Sequence, residues 1–279
     1  MKVINTIAAL KSLLSPIKLA KQKIALVPTM GALHKGHVSL IKIAQQHADL
    51  VVCSIFVNPT QFTDPKDLER YPRPLEHDIK MLEDAGCNVV FMPSVKEMYP
   101  VKEDWHIDLG PAEFLLEGEF RRGHYQGVTQ IVKKLFDAVS PDVALFGQKD
   151  FQQVLMIKNM VAHFNMPVEL ISCPIIREDD GLAMSSRNIH LSPEDRQHSL
   201  ILSSALAYIK DNFDEESISQ LLSKAKEMIN RFPGVELDYL TIADGETLQP
   251  ATEKSQSNLV ALVAAKVGET RLIDNMLLF

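Results

Sequence analysis

The fold is decided by residues 23–57, which have the sequence KIALVPTMGALHKGHVSLIKIAQQHADLVVCSIFV. Residues 23–29 form a short apolar run, and residues 50–57 form a continuous run rich in β-branched side chains, as expected for a strand buried on both faces. Between them, residues 38–47 place apolar side chains on one face of a helix. This order predicts two parallel strands joined by a right-handed crossover.

The same alternation continues through the first two-thirds of the chain. Further strands are predicted at 88–92, 142–146 and 168–172, and helices at 75–85, 128–139 and 151–164. Strands separated by helices of this length predict an α/β fold with a Rossmann-like, doubly wound parallel sheet.

The pattern changes near residue 176. Helices are predicted first and strands afterwards, at 193–211 and 215–231 and then at 238–242, 259–264 and 271–275. This order predicts a smaller C-terminal α+β domain. We therefore expect two domains, 1–176 and 177–279, with a linker around 174–192.

The charge distribution excludes one class of partner and indicates another. The chain has 29 Lys and Arg against 36 Asp and Glu, a net charge of −7, which argues against nucleic-acid binding. Residues 1–60, however, contain seven lysines and one acidic residue. A small anionic ligand is therefore expected near this segment.

Hydropathy and cysteine usage predict a cytoplasmic protein without membrane association. No run approaches the roughly 18 apolar residues of a membrane span, and the N-terminus lacks the apolar core of a secretory signal. Cys53, Cys87 and Cys173 lie far apart in apolar stretches. This spacing predicts buried free thiols rather than disulfides or a zinc site.

Polar loops follow the predicted strands, at the sheet edge where open parallel sheets bind ligands. They are residues 28–37, 58–62, 147–153 and 184–188. The first contains His34-x-x-His37 at the start of a helix. Two neighbouring imidazoles at a helix N-terminus, where backbone N–H groups favour anions, predict a phosphate site.

Two alternatives to a phosphate site remain open for the histidine loop, a partial zinc site and incidental surface histidines. Two familiar nucleotide motifs are excluded. Gly31 and Gly36 have the spacing of a P-loop, but His37 stands where that motif has lysine, so a P-loop is rejected. No GxGxxG follows a strand, which excludes the usual dinucleotide fingerprint.

The later loops add hydrogen-bond donors and one fixed positive charge. Residues 184–187, Met-Ser-Ser-Arg, suit a leaving pyrophosphate or form one of the serine-rich loops that are common in proteins. Lys149 and Asp150 stand at the predicted start of a helix. They either contact a ligand or form a solvated cap of that helix. Gln61 and Gln153 are neutral amides suited to hydroxyls or a carboxylate, or simply surface residues.

Two further segments allow a functional and a structural interpretation. Asp78, on the predicted helix at 75–85, is either a Mg²⁺ ligand or, as the default, an exposed carboxylate. Residues 121–127, RRGHYQG, either contact phosphate or cap the helix that follows.

Together these motifs resemble the pantoate–β-alanine ligases (pantothenate synthetases), a family of the nucleotidyltransferase superfamily that shares the HxGH motif. The matching segments are PTMGALHKGH (28–37), FVNPTQF (56–62), YPRPLEHD (71–78), LEGEFRRGHYQGV (116–128), FGQKDFQQ (146–153) and REDDGLAMSSRN (177–188). HxGH alone indicates only the superfamily, whereas its combination with VNPTQF and GLAMSSRN is more specific. Gln148 departs from the glutamate that is common in the family.

The resemblance implies a two-step ligation. The carboxylate of pantoate attacks the α-phosphate of ATP, which gives pantoyl-adenylate and pyrophosphate, and the amine of β-alanine then displaces AMP to form pantothenate. The implied partners are these small-molecule substrates with Mg²⁺, and the implied assembly is a homodimer.

The resemblance also implies roles for individual residues. The catalytic set is His34, His37 as proton donor, Lys149 and Arg187, the last on a loop that closes over the triphosphate. The implied ATP-binding residues are Met30, Gly31, Ala32, Leu33, His34, Lys35, Gly36, His37, Gly147, Gln148, Lys149, Asp150, Ile176, Met184, Ser185, Ser186 and Arg187. Those implied for pantoate and β-alanine are Gln61, Gln153 and Asn58, with Asp78 for a metal ion.

Two other functions remain open from the sequence. One is another HxGH adenylyl- or cytidylyltransferase with a different small acceptor, although two glutamines and Asn58 suit a small hydroxy acid better than a sugar phosphate. The other is a non-catalytic nucleotide-binding module, which would bind ATP without turnover.

Overall fold

The computed structural model describes residues 1–254 and 258–278, and the chain divides into two compact units. The first unit comprises Met1–Gly147 and Gln153–Pro174, and the second comprises Gln148–Gln152 and the chain from Ile175. The first has a parallel sheet with helices and the second a small antiparallel sheet with helices. The predicted α/β fold with a smaller C-terminal α+β part is confirmed, and a division of function at 176/177 stays a prediction.

Six strands form the parallel sheet: β1 (Lys2–Ile4), β2 (Ile24–Thr29), β3 (Leu50–Ile55), β4 (Val89–Phe91), β5 (Val143–Gly147) and β6 (Glu169–Cys173). Their order is β1-β4-β3-β2-β5-β6. The chain proceeds from β2 outward to β4 and then returns to the other side of β2 for β5. The topological switch point therefore lies between β2 and β5, where such sheets bind ligands beyond the strand ends.

The central strands form because their apolar runs are buried on both faces. β2 and β3 pair in parallel from Ile24↔Leu50 to Thr29↔Ile55, and Val51 to Ser54 are all buried. β1 was not predicted, because it is a three-residue edge strand with two exposed residues and has no apolar run to reveal it.

The helices up to β6 include the segments that the sequence predicted. They are α1 (Ile7–Leu19), α2 (Lys35–His47), α3 (Pro65–Arg70), α4 (Leu75–Asp84), α5 (Val95–Met98), α6 (Glu117–Phe120), α7 (His124–Val139) and α8 (Phe151–His163). α2 and α7 begin three and four residues before their predicted starts. Both extensions consist of motif residues, so the motifs lie on the first turns of helices. All three cysteines are buried and unpaired, as predicted.

The second unit packs two helices, α9 (Pro193–Asp211) and α10 (Ile218–Asn230), with three antiparallel strands, β7 (Val235–Asp244), β8 (Leu259–Val267) and β9 (Thr270–Leu277). Ser192 and Ser217 cap the two helices through hydrogen bonds from backbone N–H groups. β8 is almost entirely buried between its neighbours. Within the described ranges, no helix combines the length and apolarity that crossing a membrane requires.

Candidate active site

The loop after β2 has an unusual backbone conformation that Asp78 stabilises. Gly31 and Ala32 both have positive φ, +82° and +50°. Residues other than glycine rarely adopt this backbone conformation. Asp78 of α4 is only 1% exposed. Its Oδ2 accepts a hydrogen bond from the N–H of Ala32 and its Oδ1 one from the N–H of Leu33, both at 2.8 Å. The default expectation of an exposed carboxylate at Asp78 is wrong, since the side chain is buried and holds the loop.

His34 and His37 face each other at the N-terminus of α2. The N–H of Gly36 donates to Nδ1 of His34 at 3.2 Å, and the N–H of His34 donates to Nδ1 of His37 at 3.3 Å. Because Nδ1 is the acceptor in both rings, a neutral ring has its proton on Nε2. The ring centroids are 4.1 Å apart. The pair thus presents two Nε2–H donors from adjacent positions at the positive end of a helix.

The protonation of His37 is controlled by its surroundings. Burial, and then the neighbouring His34 ring, lower the pKa of His37 to about 3. The ring is therefore neutral at physiological pH in the unliganded protein. A neutral His37 keeps a proton on Nε2 and so offers a hydrogen-bond donor without a charge.

Asn58 fixes the orientation of Gln61 on the turn after β3. The Asn58 amide nitrogen donates to Oε1 of Gln61 at 3.1 Å and to the carbonyl of Gly127 at 3.0 Å. Its oxygen accepts from the Tyr99 hydroxyl at 2.8 Å and from the Thr60 hydroxyl at 3.2 Å. All four hydrogen-bonding positions of the Asn58 amide are occupied. Since its oxygen faces Asn58, Gln61 presents its NH₂ group as the donor.

The Gln61 amide also links this turn to the loop after β2. Its Nε2 lies 3.3 Å from Sδ of Met30, and Gln61 is buried rather than a surface residue. The structure therefore brings the loop and helix start, with Met30 and the two histidines, together with the turn of Asn58 and Gln61. Lys35 is exposed, and Gln153 is half-buried on α8.

The RRGHYQG segment packs α7 against the same turn, a role that the sequence left undecided. Nδ1 of His124, the first residue of α7, lies 2.7 Å from the carbonyl oxygen of Gln61. A Cβ at Gly127 would lie only 2.3 Å from the carbonyl oxygen of Thr60. Sequence reasoning missed His124, Gly127 and Tyr99 as supports of Gln61. The glycine before an apolar helical run was the one available signal of a close approach.

In the second unit, the turn Gln148–Asp150 is bound by Asn275 of β9. The Asn275 amide nitrogen donates to the carbonyls of Gln148 and Lys149 at 3.0 and 2.9 Å. The Gln148 amide in turn donates to the Asn275 oxygen at 3.1 Å. Asn275 is buried and Lys149 half-buried, whereas Asp150 is exposed.

The REDDGLAMSSRN segment forms a hairpin that leads into the Ser-Ser-Arg turn. The N–H of Met184 donates to the carbonyl of Ile176 at 3.0 Å, and Arg177 and Ala183 form a β-bridge. The Ser185 hydroxyl accepts from the N–H of Arg187 at 3.3 Å and caps the turn. The predicted residues Ile176 and 184–187 therefore lie together on one hairpin, each half-buried.

Two acidic residues of this segment have a structural role. Arg196 of α9 forms salt bridges with Glu178 at 2.8 Å and Asp180 at 2.7 Å. Desolvation opposes ionisation of both carboxyls, but hydrogen bonds hold the pKa of each below its ordinary value. Those to Glu178 come from Arg196 and Asn188, and those to Asp180 from the N–H of Leu182 and from Arg196. Glu178 and Asp180 therefore fasten the hairpin to α9.

The described part of the chain does not provide a ready-made set of side-chain ligands for a metal ion. Residues 1–254 and 258–278 contain no group of three His, Cys, Asp or Glu side chains arranged to hold an ion. The alternative of a zinc site at His34 and His37 is thereby left without further ligands.

Comparisons with known proteins decide the family. The family model described as pantoate-beta-alanine ligase matches residues 2–277. The chain belongs to the pantoate-beta-alanine ligase family. Curated relatives named pantothenate synthetase include those of Acetivibrio thermocellus and Thermoanaerobacter sp. (strain X514), 47% and 46% identical over 99% of this chain and 99% and 98% of their own.

Solved structures of the pantoate-beta-alanine ligase family share the whole architecture. The pantothenate synthetase of Thermus thermophilus is 39% identical and has a TM-score of 0.93, with 100% of both chains covered. The Francisella tularensis enzyme, solved in complex with beta-gamma ATP and beta-alanine, is 35% identical with a TM-score of 0.80, over 99% of this chain and 97% of that one. The open alternative of a different HxGH transferase is thereby excluded at the level of the family.

Proposed function

We propose that this chain performs the reaction of its family, the ATP-dependent condensation of pantoate with β-alanine to pantothenate through a pantoyl-adenylate. The observation that carries the proposal is the pair of Nε2–H donors of His34 and His37 at the N-terminus of α2. This arrangement suits the phosphate of a nucleotide. The loop that leads into this helix also contacts an amide, Gln61, that suits a hydroxy acid.

The first step joins two anions, so neutralisation and orientation supply much of the rate. A carboxylate oxygen of pantoate attacks the α-phosphorus of ATP, and the bond to the β-phosphate oxygen breaks with release of pyrophosphate. His34 and His37 donate hydrogen bonds to phosphate oxygens. Lys149 and Arg187 bind the triphosphate and stabilise the charge that develops on the leaving pyrophosphate.

Gln61 and Gln153 hold pantoate in position for this attack. Because Oε1 of Gln61 faces Asn58, its NH₂ group donates to a hydroxyl or carboxylate oxygen of pantoate. Asn58 itself has its hydrogen bonds occupied within the protein, so we assign it to Gln61 rather than to the substrate.

The remaining ATP contacts follow the order of the motifs. The backbone groups of Met30 to Gly36 contact the nucleotide. Gly147 to Asp150 contact its ribose, and Ile176 contacts its adenine. Met184 to Ser186 close over the triphosphate with Arg187 as part of a lid formed by residues 177–279. Closure protects the acyl-adenylate from water until the β-alanine amine attacks its carbonyl carbon and AMP leaves.

Mg²⁺ would bind together with ATP. The ion ordinarily keeps several waters and binds substrate phosphates through few protein ligands, which agrees with the absence of a carboxylate cluster from the described residues. When bound, it neutralises phosphate charge. Asp78, whose two oxygens bind the loop, remains our candidate for indirect support of the ion.

The proposal includes a homodimer in the cytoplasm. The three buried thiols suit a reducing compartment, and the dimer rests on the family resemblance alone. Light scattering of the purified protein at micromolar concentration tests the dimer, and a monomer mass would contradict it.

The function is tested by mixing the purified protein with ATP, Mg²⁺, pantoate and β-alanine and following AMP and pyrophosphate. AMP should form only when both acids are present, whereas a single turnover of pyrophosphate should need pantoate alone. AMP formation that is independent of either acid would contradict the proposal.

A further inference from the structure

We propose that Asp274 and Asn275, together called the β9 anchor, are positioning residues that set the locations of Lys149 and Arg187 within the second unit. The inference rests on the proposed function insofar as these two cations bind the triphosphate. Neither anchor residue lies in a motif that the sequence singled out. Their role emerges from the contacts of β9 alone.

Asn275 ties the Lys149 turn to β9 through three hydrogen bonds. Its amide nitrogen donates to two successive carbonyls, and its oxygen accepts from the Gln148 side chain. Only 2% of Asn275 is exposed, so these bonds are shielded from water. A neutral amide at 148 is needed for the third bond, since a carboxylate cannot donate. This pairing explains structurally why glutamine suits position 148 in this chain, where the family commonly has glutamate.

Asp274 ties the hairpin of Arg187 to the same strand. Its two oxygens accept from the Arg177 guanidinium in a bidentate pair at 2.6 and 3.0 Å, and Arg177 also donates to the Gly181 carbonyl at 3.1 Å. Asp274 is 5% exposed. The turn Ser186–His190, which includes Arg187, contacts β9 as well.

The two anchor residues are linked to each other. The backbone N–H of Asn275 donates to Oδ1 of Asp274 at 2.8 Å. The Lys149 turn and the hairpin that leads to Arg187, which are distant in sequence, are therefore fixed to adjacent residues of one strand. Lys149 and Arg187 have long, flexible side chains on turns of three and five residues. Their productive geometry depends on support from a rigid element, because misplacement by about 1 Å can cost roughly 100-fold in rate.

The test uses Asn275→Asp, which keeps the size of the side chain but places oxygen against two carbonyls. The matched control is Asn230→Asp, the same chemical change at an exposed residue that ends α10. For Asn275→Asp we expect kcat/KM for ATP to fall about 10- to 100-fold. The kcat/KM for β-alanine should fall much less, because the charge on the leaving pyrophosphate, which Lys149 and Arg187 stabilise, develops only in the first step. A partly unfolded enzyme would lose both equally, and that result would overturn the proposal.

A double-mutant cycle shows whether Asn275 acts through Lys149. In the Lys149→Ala background, Asn275→Asp should have little further effect on kcat/KM for ATP, whereas full additivity would contradict a positioning role. Asp274→Asn should behave in the same way toward Arg187→Ala. If Asn275→Asp does not fold, Asn275→Ser removes the same bonds without adding a charge and is measured in its place.

Failure of the proposed function is distinguishable from failure of this inference. If the wild-type protein forms no AMP with all substrates present, the function is wrong. The anchor is then tested by calorimetric titration with ATP and Mg²⁺. Asn275→Asp should weaken ATP binding relative to Asn230→Asp, and equal affinities would overturn the anchor.

Discussion

Replacement of Asp78 by alanine should damage both the stability of the protein and its use of ATP. The variant removes two 2.8 Å hydrogen bonds between a buried carboxylate and the N–H groups of Ala32 and Leu33. Hydrogen bonds to a charged group contribute about 1.5–3 kcal/mol each, so the unfolding free energy should fall by about 3–6 kcal/mol. The loop with positive φ at Gly31 and Ala32 loses its support, and kcat/KM for ATP should fall with it.

The assay is urea unfolding followed by circular dichroism, together with initial rates at varied ATP. Asp84→Ala is the control, because Asp84 is on the same helix but exposed, in a solvated salt bridge with Lys80 at 3.7 Å. That change should alter the unfolding free energy by no more than about 0.5 kcal/mol. Asp78→Asn retains one acceptor and should fall between the two. Equal stabilities of Asp78→Ala and Asp84→Ala would refute the role of the carboxylate in holding the loop.

Three further outcomes follow from the site. The unfolded state takes up a proton on His37 below its ordinary pKa of 6.5, whereas the folded state resists protonation until the pH reaches about 3. The unfolding free energy should therefore fall by roughly 2.5 kcal/mol between pH 7.5 and 4.5 because of this group. The His37→Gln variant should not show that part of the decrease in its unfolding curves. Gly127→Ala forces a Cβ against the Thr60 carbonyl. It should cost about 1–3 kcal/mol in thermal unfolding and raise KM for pantoate; an unchanged KM would contradict the packing argument. Tyr99→Phe removes a donor to Asn58 and should raise KM for pantoate several-fold while KM for ATP stays constant, as steady-state kinetics can check.

The sheet was predictable because its central strands are apolar on both faces. β2 and β3 are buried runs joined through α2, and they appear in the structure within two residues of their predicted bounds. β1 was not predictable, since three largely exposed residues at an edge have no periodicity to detect. Their strand conformation depends on pairing with β4, which is a tertiary contact.

The residues that support the site were harder to predict than those that form it. His34 and His37 stand out because two imidazoles flank a glycine at a helix start. Asp78, by contrast, looked like an ordinary helix carboxylate. Its burial follows only from the packing of α4 beside a loop 45 residues earlier. Asn275 is further away still, 126 residues beyond the carbonyl of Lys149 that it binds.

The central claim, passage through pantoyl-adenylate, is tested most directly with pantoate labelled with ¹⁸O in its carboxylate. If that carboxylate attacks the α-phosphorus of ATP, one labelled oxygen remains on phosphorus when β-alanine displaces AMP. Mass spectrometry should then find one ¹⁸O in AMP and none in pyrophosphate. Unlabelled AMP, or label in pyrophosphate, would contradict the account.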